Sequence, residues 1–170
     1  MMRIIVAGCR NASKTDVNRA LSSCEWIGFA SAIVSGTARG ADQYGEDWAK
    51  EHAIDIQHYP ADWKKHGKKA GPLRNEEMAK NAEGLIAVWD GQSRGTKSMI
   101  ELASKYGLRI CVYRVDTNMI ETYEATDDVA HRWEELEERA AVLEYGSGLS
   151  REKAEREALN MMVSKIDVTE

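Results

Sequence analysis

The chain has 170 residues, of which 43% are hydrophobic and 30% charged, and carries a formal charge of −5 at neutral pH. That length holds one domain with a substantial core plus a modest appendage, and the balance excludes a disordered or fibrous chain. No window approaches the roughly 18 apolar residues of a membrane span, and Cys9, Cys24 and Cys111, far apart and without a C-x-x-C pair, indicate neither a disulfide framework nor a thiolate zinc site, which predicts a reducing cytoplasm.

The first apolar run, "RIIVAG" (Arg3 to Gly8), reads as a strand. The "VAGC" that ends it looks like a lipoprotein cleavage box, but the apolar stretch before it is shorter than the 7 to 15 residues, roughly, of a signal peptide. A helical pattern from about Asp16 to Phe29 follows, then "SAIVSG" (Ser31 to Gly36) and a second helical pattern from about Ala41 to His52. "IDIQHY" (Ile54 to Tyr59) leads into a long basic loop and a helix from about Arg74. "GLIAVWD" (Gly84 to Asp90) precedes a helix from about Thr96 to Tyr106, and "LRICVYRV" (Leu108 to Val115) closes the set. Short apolar runs alternating with helices predict an α/β fold: a three-layer, Rossmann-like parallel sheet of about five strands, because parallel neighbours need crossover helices.

The remainder reads differently. Residues 1–116 hold 17 Lys and Arg against 14 Asp and Glu, whereas residues 117–170 hold 6 against 14. Trp133, Leu136, Ala140 and Leu143 share a helical face, "YGSGLS" (Tyr145 to Ser150) interrupts the pattern with Ser150 as the next N-cap, and Leu159, Met162 and Ile166 repeat it. The expected division is a nucleotide-binding domain over 1–116 and an acidic helical hairpin over 117–170, whose apolar stripe packs on the body or on a second copy in a homo-oligomer.

In an open parallel sheet, ligands sit at the carboxyl ends of the strands. Three expected strands end in glycine-bearing turns: "GCRN" (Gly8 to Asn11), "SGTARGAD" (Ser35 to Asp42) and "DGQSRGTKS" (Asp90 to Ser98). The third almost spells a Walker loop, but only three residues separate Gly91 from Gly95, and Thr96 precedes Lys97. The second and third share a layout of glycine, small polar residues, arginine, glycine and helix. Gly40 and Gly95 therefore fall where backbone amides and the positive helix end favour an anion. Arg39 and Arg94 add forked donors for phosphate or carboxylate, and Ser35, Thr37, Ser93 and Thr96 add hydroxyls. The expected ligand is phosphate-bearing. "YPADWKKHGKKAGPLRN" (Tyr59 to Asn75) reads either as a lid, with Trp63 over a base and Lys64, Lys65, Lys68 and Lys69 steering an anion, or as a solvated connector.

"IVSGTARGAD", "YPADWKKHGKKAGPLRNEEM" and "AVWDGQSRGTKSMIELA", in that order after a "GCR" strand end, resemble the YspA-type branch of the SLOG superfamily, whose nucleotide-binding fold is shared with DprA and LOG proteins. The resemblance runs from about Arg3 to Val115. It implies a nucleotide or nucleotide-derived ligand held by Gly8, Arg10, Ser35, Gly36, Thr37, Arg39, Gly40, Asp42, Gly91, Ser93, Arg94, Gly95 and Thr96; Trp63, Arg74, Asn75 and Asp90 complete the candidate set. LOG enzymes cleave the N-glycosidic bond of nucleoside 5'-monophosphates with a P-G-G-x-G-T-x-x-E loop. Here Gly95 and Thr96 match its second G-T, Met99 takes the place of its glutamate, and Glu101 lies two residues later. The tail resembles helical segments of phage and mobile-element proteins, which would place the protein in a host cytoplasm.

Three functions stay open at this level: a module that senses, sequesters or processes a nucleotide; a nucleoside monophosphate N-glycosidase; and a DprA-like DNA-processing accessory, which the acidic tail disfavours. For cleavage, Asp42 is the leading candidate, expected to be ionised at a helix start, and Glu46 the second. His52, His58, His66 and His131 lack metal-ligand spacing, so no metal or other cofactor beyond the nucleotide is expected.

Overall fold

In the computed structural model, residues 1–123 and 138–163 are described. The chain divides into two units, Met1–Ala125 and Thr126–Glu170. The first unit is built on a six-stranded sheet: β1 (Met2–Gly8), β2 (Ala30–Ser35), β3 (Asp55–His58), β4 (Gly84–Trp89), β5 (Arg109–Arg114) and β6 (Met119–Tyr123). The order is β3-β2-β1-β4-β5-β6, parallel except for β6, which runs antiparallel to β5. The chain winds outward from β1 to β3, returns to the other side of β1 for β4 and winds outward again. The strand order thus reverses between β1 and β4, the crevice position of doubly wound sheets.

The central strands are apolar on both faces, as burial under helices on both sides requires. Ile4, Ile5 and Val6 of β1 and Leu85, Ile86, Ala87 and Val88 of β4 are fully buried. Ile4 and Val6 join Ile86, Val88, Cys111 and Tyr113 in one core beneath α1 (Lys14–Ser22) and α2 (Ala41–Glu51). Gly45 lets α2 press onto β1, since a Cβ there would stand 2.6 Å from a Val6 methyl. The alternate residues, Ile5 and Ala7, point to the opposite face. Beyond α3 (Trp63–His66), α4 (Ala70–Lys80) packs against α5 (Arg94–Lys105), and α5 packs on β4, β5 and β1.

Several boundaries differ from the sequence reading, each for a local reason. The helical pattern expected over Asp16 to Phe29 is two pieces. A capping box, in which Ser13 and Asp16 each accept the other's backbone N–H, starts α1 two residues early. The chain then breaks at Ser23–Cys24 into a 3₁₀ turn, Glu25–Phe29. The long basic loop is largely helical: α3 is capped by Asp62, a 3₁₀ turn covers Gly67–Lys69, and α4 starts at Ala70, four residues before Arg74. Pro72 is accommodated because the first-turn amides of a helix have no intrahelical acceptor to lose. The sixth strand, beyond the five expected and past residue 116, is a short partly exposed hairpin return. It follows a turn in which Asn118 holds a positive φ of 58°.

In the second unit, residues 138–147 form α6 and Arg151–Val163 form α7. Arg151 joins them, binding Glu144 of α6 at 3.3 Å and Glu155 of α7 at 2.7 Å. Ala140, Ala154 and Ala158 are buried. Of the apolar stripe expected along the tail, Trp133, Leu136 and Ile166 lie outside the described residues, as does His131. Among the described residues no helix is long and apolar enough to cross a membrane.

Candidate functional site

The carboxyl ends of β1, β2 and β4 carry the three glycine-bearing loops, and these surround a cavity of about 1070 Å³ at the strand-order reversal. Gly8, Arg10, Gly36, Thr37, Arg39, Asp42, Trp63, Arg74, Asn75, Asp90, Ser93, Arg94, Gly95 and Thr96 line it.

Close backbone approach explains the glycines of the first two loops. A Cβ on Gly8 would run into the Val88 carbonyl and stand 2.8 Å from the Ala41 Cβ, so Gly8 keeps β1, β4 and the start of α2 together. Gly40, the residue before α2, has φ 85° and ψ −121°, and a Cβ there would lie 2.7 Å from the carbonyl oxygens of Cys9 and Arg10. The first and second loops therefore touch through Gly40, a backbone geometry that other residues reach only with strain.

The second loop is fixed from behind. Ser35, fully buried, donates its hydroxyl to Glu46 Oε1 at 2.7 Å and accepts the Thr37 amide at 3.0 Å. Thr37 is held at φ 60°. Glu46 Oε2 in turn lies 3.4 Å from His58 Nε2. Ser35, Gly40 and Glu46 thus support the loop without lining the cavity, and Glu46, a sequence candidate for catalysis, is turned toward β2 and β3.

Asp42 is different. Its residue is only 4% exposed yet it lines the cavity. Burial pushes its carboxyl up to about 6, against the opposing pull of the Arg74 guanidinium and of backbone amides including Ala38, 3.4 Å away. The ionised carboxylate expected at this helix start is therefore one that titrates close to neutrality. Arg74 donates to the Gly36 carbonyl and, through Nε, to Asn75 Oδ1 at 2.9 Å. Its own pKa is lowered by burial, with Asp42 opposing. Gly36 leaves room for this pairing, since a Cβ there would press on the Arg74 guanidinium and on Asp42 Oδ2. Asn75 donates onward to the Gly95 carbonyl at 3.3 Å, tying α4 to the third loop.

The third loop turns on Asp90, whose Oδ1 accepts the amides of Gln92 at 2.9 Å and Ser93 at 2.7 Å. Ser93 caps α5, its hydroxyl accepting from the Thr96 hydroxyl at 2.9 Å, and its carbonyl accepts the Trp89 indole N–H. Gly91, at φ 75°, does not line the cavity but packs against Arg114 and Asp116.

Trp63 lines the cavity and is 56% exposed. Lys64, Lys65, Lys68 and Lys69 are exposed, and none lines the cavity. Lining residues outside the candidate set drawn from the sequence include Cys9, Asn11, Pro60, Gly71, Met78 and Met99. The signal for three of them was present: Gly71, Arg74, Asn75 and Met78 fall at one-turn spacing on α4, and Met99 follows Thr96 by three residues. Met99, in the place of the LOG glutamate, is buried and gives the cavity a thioether rather than a carboxylate. Glu101 lies on the exposed side of α5. Among the described residues no cluster of three potential metal ligands is present.

Residues 2–66, covering the first two of these loops, match the YspA, cpYpsA-related SLOG family. The chain is also similar to the Gene 61 protein of Mycobacterium phage D29, 34% identical over 118 residues, which is 65% of this chain and 94% of that protein. With the reversal-point cavity and the glycine-bearing loops in place, these matches agree with the resemblance read from the motifs: the chain belongs to the YspA, cpYpsA-related SLOG family.

Proposed function

We propose that this protein binds a phosphate-bearing nucleotide or nucleotide-derived small molecule at the carboxyl edge of its sheet, and acts in the cytoplasm as a sensor or sequestering protein. The observation that carries the reading is the convergence of three strand-end loops, each bringing an arginine (Arg10, Arg39 and Arg94), on one cavity at the strand-order reversal. Membership of a SLOG family supports a nucleotide-related ligand in general. In this reading the arginines hold the phosphate, Thr37, Ser93 and the amides of the second and third loops add donors, and Trp63 stacks on a planar base.

A ligand that binds only the folded state raises stability by mass action, by about 2.7 kcal/mol at 100 times its Kd. Thermal unfolding with a panel of nucleoside mono-, di- and triphosphates, dinucleotides and ADP-ribose should therefore show a rise in Tm with at least one nucleotide class. A flat response at millimolar ligand would remove the reading.

Asp42 favours a second reading, N-glycosidic hydrolysis of a nucleotide. A cavity carboxyl poised near 6 suits proton transfer to a leaving base at neutral pH. Released base, followed during incubation with nucleoside monophosphates, should fall at least about 100-fold in Asp42→Asn. Turnover unchanged in that variant would take the chemistry away from Asp42.

A further inference from the structure

The first unit contains eight arginines among its described residues, and five of them are engaged. Arg3 binds Glu83, Arg19 binds Tyr113 and Asn118, Arg74 binds Gly36 and Asn75, Arg114 binds Asp116, and Arg109 also has a partner. The other three, Arg10, Arg39 and Arg94, make no hydrogen bond or ion pair among the described residues. All three line the same cavity. Among the described residues of the first unit, unpaired guanidinium groups are thus confined to the site, one from each strand-end loop.

Two further features bear on what they hold. The anionic side chains of the cavity are already committed: Asp90 accepts two amides of its own turn, and Asp42 faces Arg74. Neither forms an ion pair with the three arginines, and three guanidinium charges exceed the single carboxylate of Asp90, so an excess of positive charge is left for the ligand. The loops are also spread out. They leave β2, β1 and β4, successive neighbours in the sheet, so the outer two originate about 10 Å apart at the usual strand spacing. A single phosphoryl group fills only part of that width, and a cavity of about 1070 Å³ is at the upper end of small-molecule sites.

We propose that the cavity takes a small molecule with two phosphoryl groups joined in one chain, as in a nucleoside diphosphate or a nucleoside diphosphate sugar, in preference to a nucleoside monophosphate. This rests on the phosphate-ligand reading above and specifies its charge. Two linked phosphoryl groups let Arg39 and Arg94 each engage a different one, with Arg10 between them at the end of the central strand; a monophosphate leaves at least one of the outer pair unsatisfied.

The test is calorimetric titration of the full chain with AMP, ADP and ADP-ribose, in the wild type and in Arg10→Gln, Arg39→Gln and Arg94→Gln. All three side chains are exposed and unpaired, so folding is preserved, which circular dichroism checks. ADP or ADP-ribose should bind at least about tenfold more tightly than AMP, the scale of one added charge-assisted hydrogen-bonded contact. Arg39→Gln and Arg94→Gln should each weaken the two-phosphate probe about tenfold, while AMP loses affinity in only one of the two. AMP binding as tightly as both two-phosphate probes overturns the proposal and leaves the nucleotide reading standing. No binding of any of the three probes, together with a flat Tm across the nucleotide panel above, overturns both. Displacement of ADP-ribose by a single-stranded oligonucleotide at equal concentration overturns the proposal in favour of a nucleic-acid strand.

Discussion

The hydroxyl of Ser35 and the carboxylate of Glu46, neither of which lines the cavity, meet at 2.7 Å, and the same hydroxyl accepts the Thr37 amide. Glu46 therefore acts on the loop through Ser35. Glu46→Ala leaves a buried hydroxyl without its acceptor and should cost about 1–3 kcal/mol in urea unfolding. Glu46→Gln keeps an acceptor and should cost less than half as much, with ligand affinity within about threefold of wild type. A loss of affinity in Glu46→Gln without a loss of stability would instead place Glu46 at the ligand.

Gly40 fixes the contact between the first and second loops. Alanine there meets two carbonyl oxygens at 2.7 Å in a region of positive φ. Strain and overpacking together should destabilise Gly40→Ala by about 2–4 kcal/mol, read as a fall in the denaturation midpoint. Stability unchanged within error would mean that the loops do not approach as closely as described.

Asp42 sets a pH dependence whose sign is fixed by burial. Its folded pKa of about 6 lies above the ordinary 3.8. Between those values the folded state holds a proton that the unfolded state has released, so this group's contribution to stability falls as pH rises from about 4 to about 6 and is flat above. Asp42→Asn removes that dependence. The difference in unfolding free energy between variant and wild type should move toward the variant by about 2 kcal/mol between pH 4 and pH 7, at about 1.36 kcal/mol per unit. A pH-independent difference would show that the carboxyl is not desolvated.

Arg114 is 1% exposed in its side chain, lies with its guanidinium 5.0 Å from the centre of the Trp89 ring, and is held by both oxygens of Asp116. Asp116→Asn leaves that buried charge without its counter-ion. Because Asp116 itself is partly exposed, the cost should be about 2 kcal/mol, below the range for a fully buried pair. Gly91 packs on the same pair, so the variant should also shift the amide resonances of residues 90–93. A destabilised protein with those resonances unmoved would separate the pair from the third loop.

The sequence displayed the strands and loops readily because the buried runs "RIIVAG", "SAIVSG" and "GLIAVWD" each end at a glycine, where hydrophobic period and turn chemistry change together. It displayed β6 poorly: a five-residue strand after a turn, with Met119 to Thr122 partly exposed, carries no such signal. Asp62 and the Lys-Lys pairs concealed α3, since a four-residue helix capped by one side chain is decided by the fold around it rather than by propensity. At the site, the residues at loop ends were legible, but direction was not. Ser35 and Glu46 share a loop and a helix with Asp42, and only the packing of α2 on β1 turns Asp42 into the cavity and Glu46 away. The raised pKa of Asp42 was likewise invisible, because a helix-start position taken alone favours the charged form, whereas burial opposes it.

The central claim is that a nucleotide occupies the edge where β1, β2 and β4 end. It is tested most directly by titrating ¹⁵N-labelled protein with the nucleotide that most raises its Tm and following backbone amide and tryptophan indole resonances. The account predicts the largest shifts at Arg10, at 36–42, at 93–96 and at the Trp63 indole, with the amides of α7 unmoved. Shifts centred on Lys64 to Lys69 or on the second unit, with the three loops silent, would contradict it.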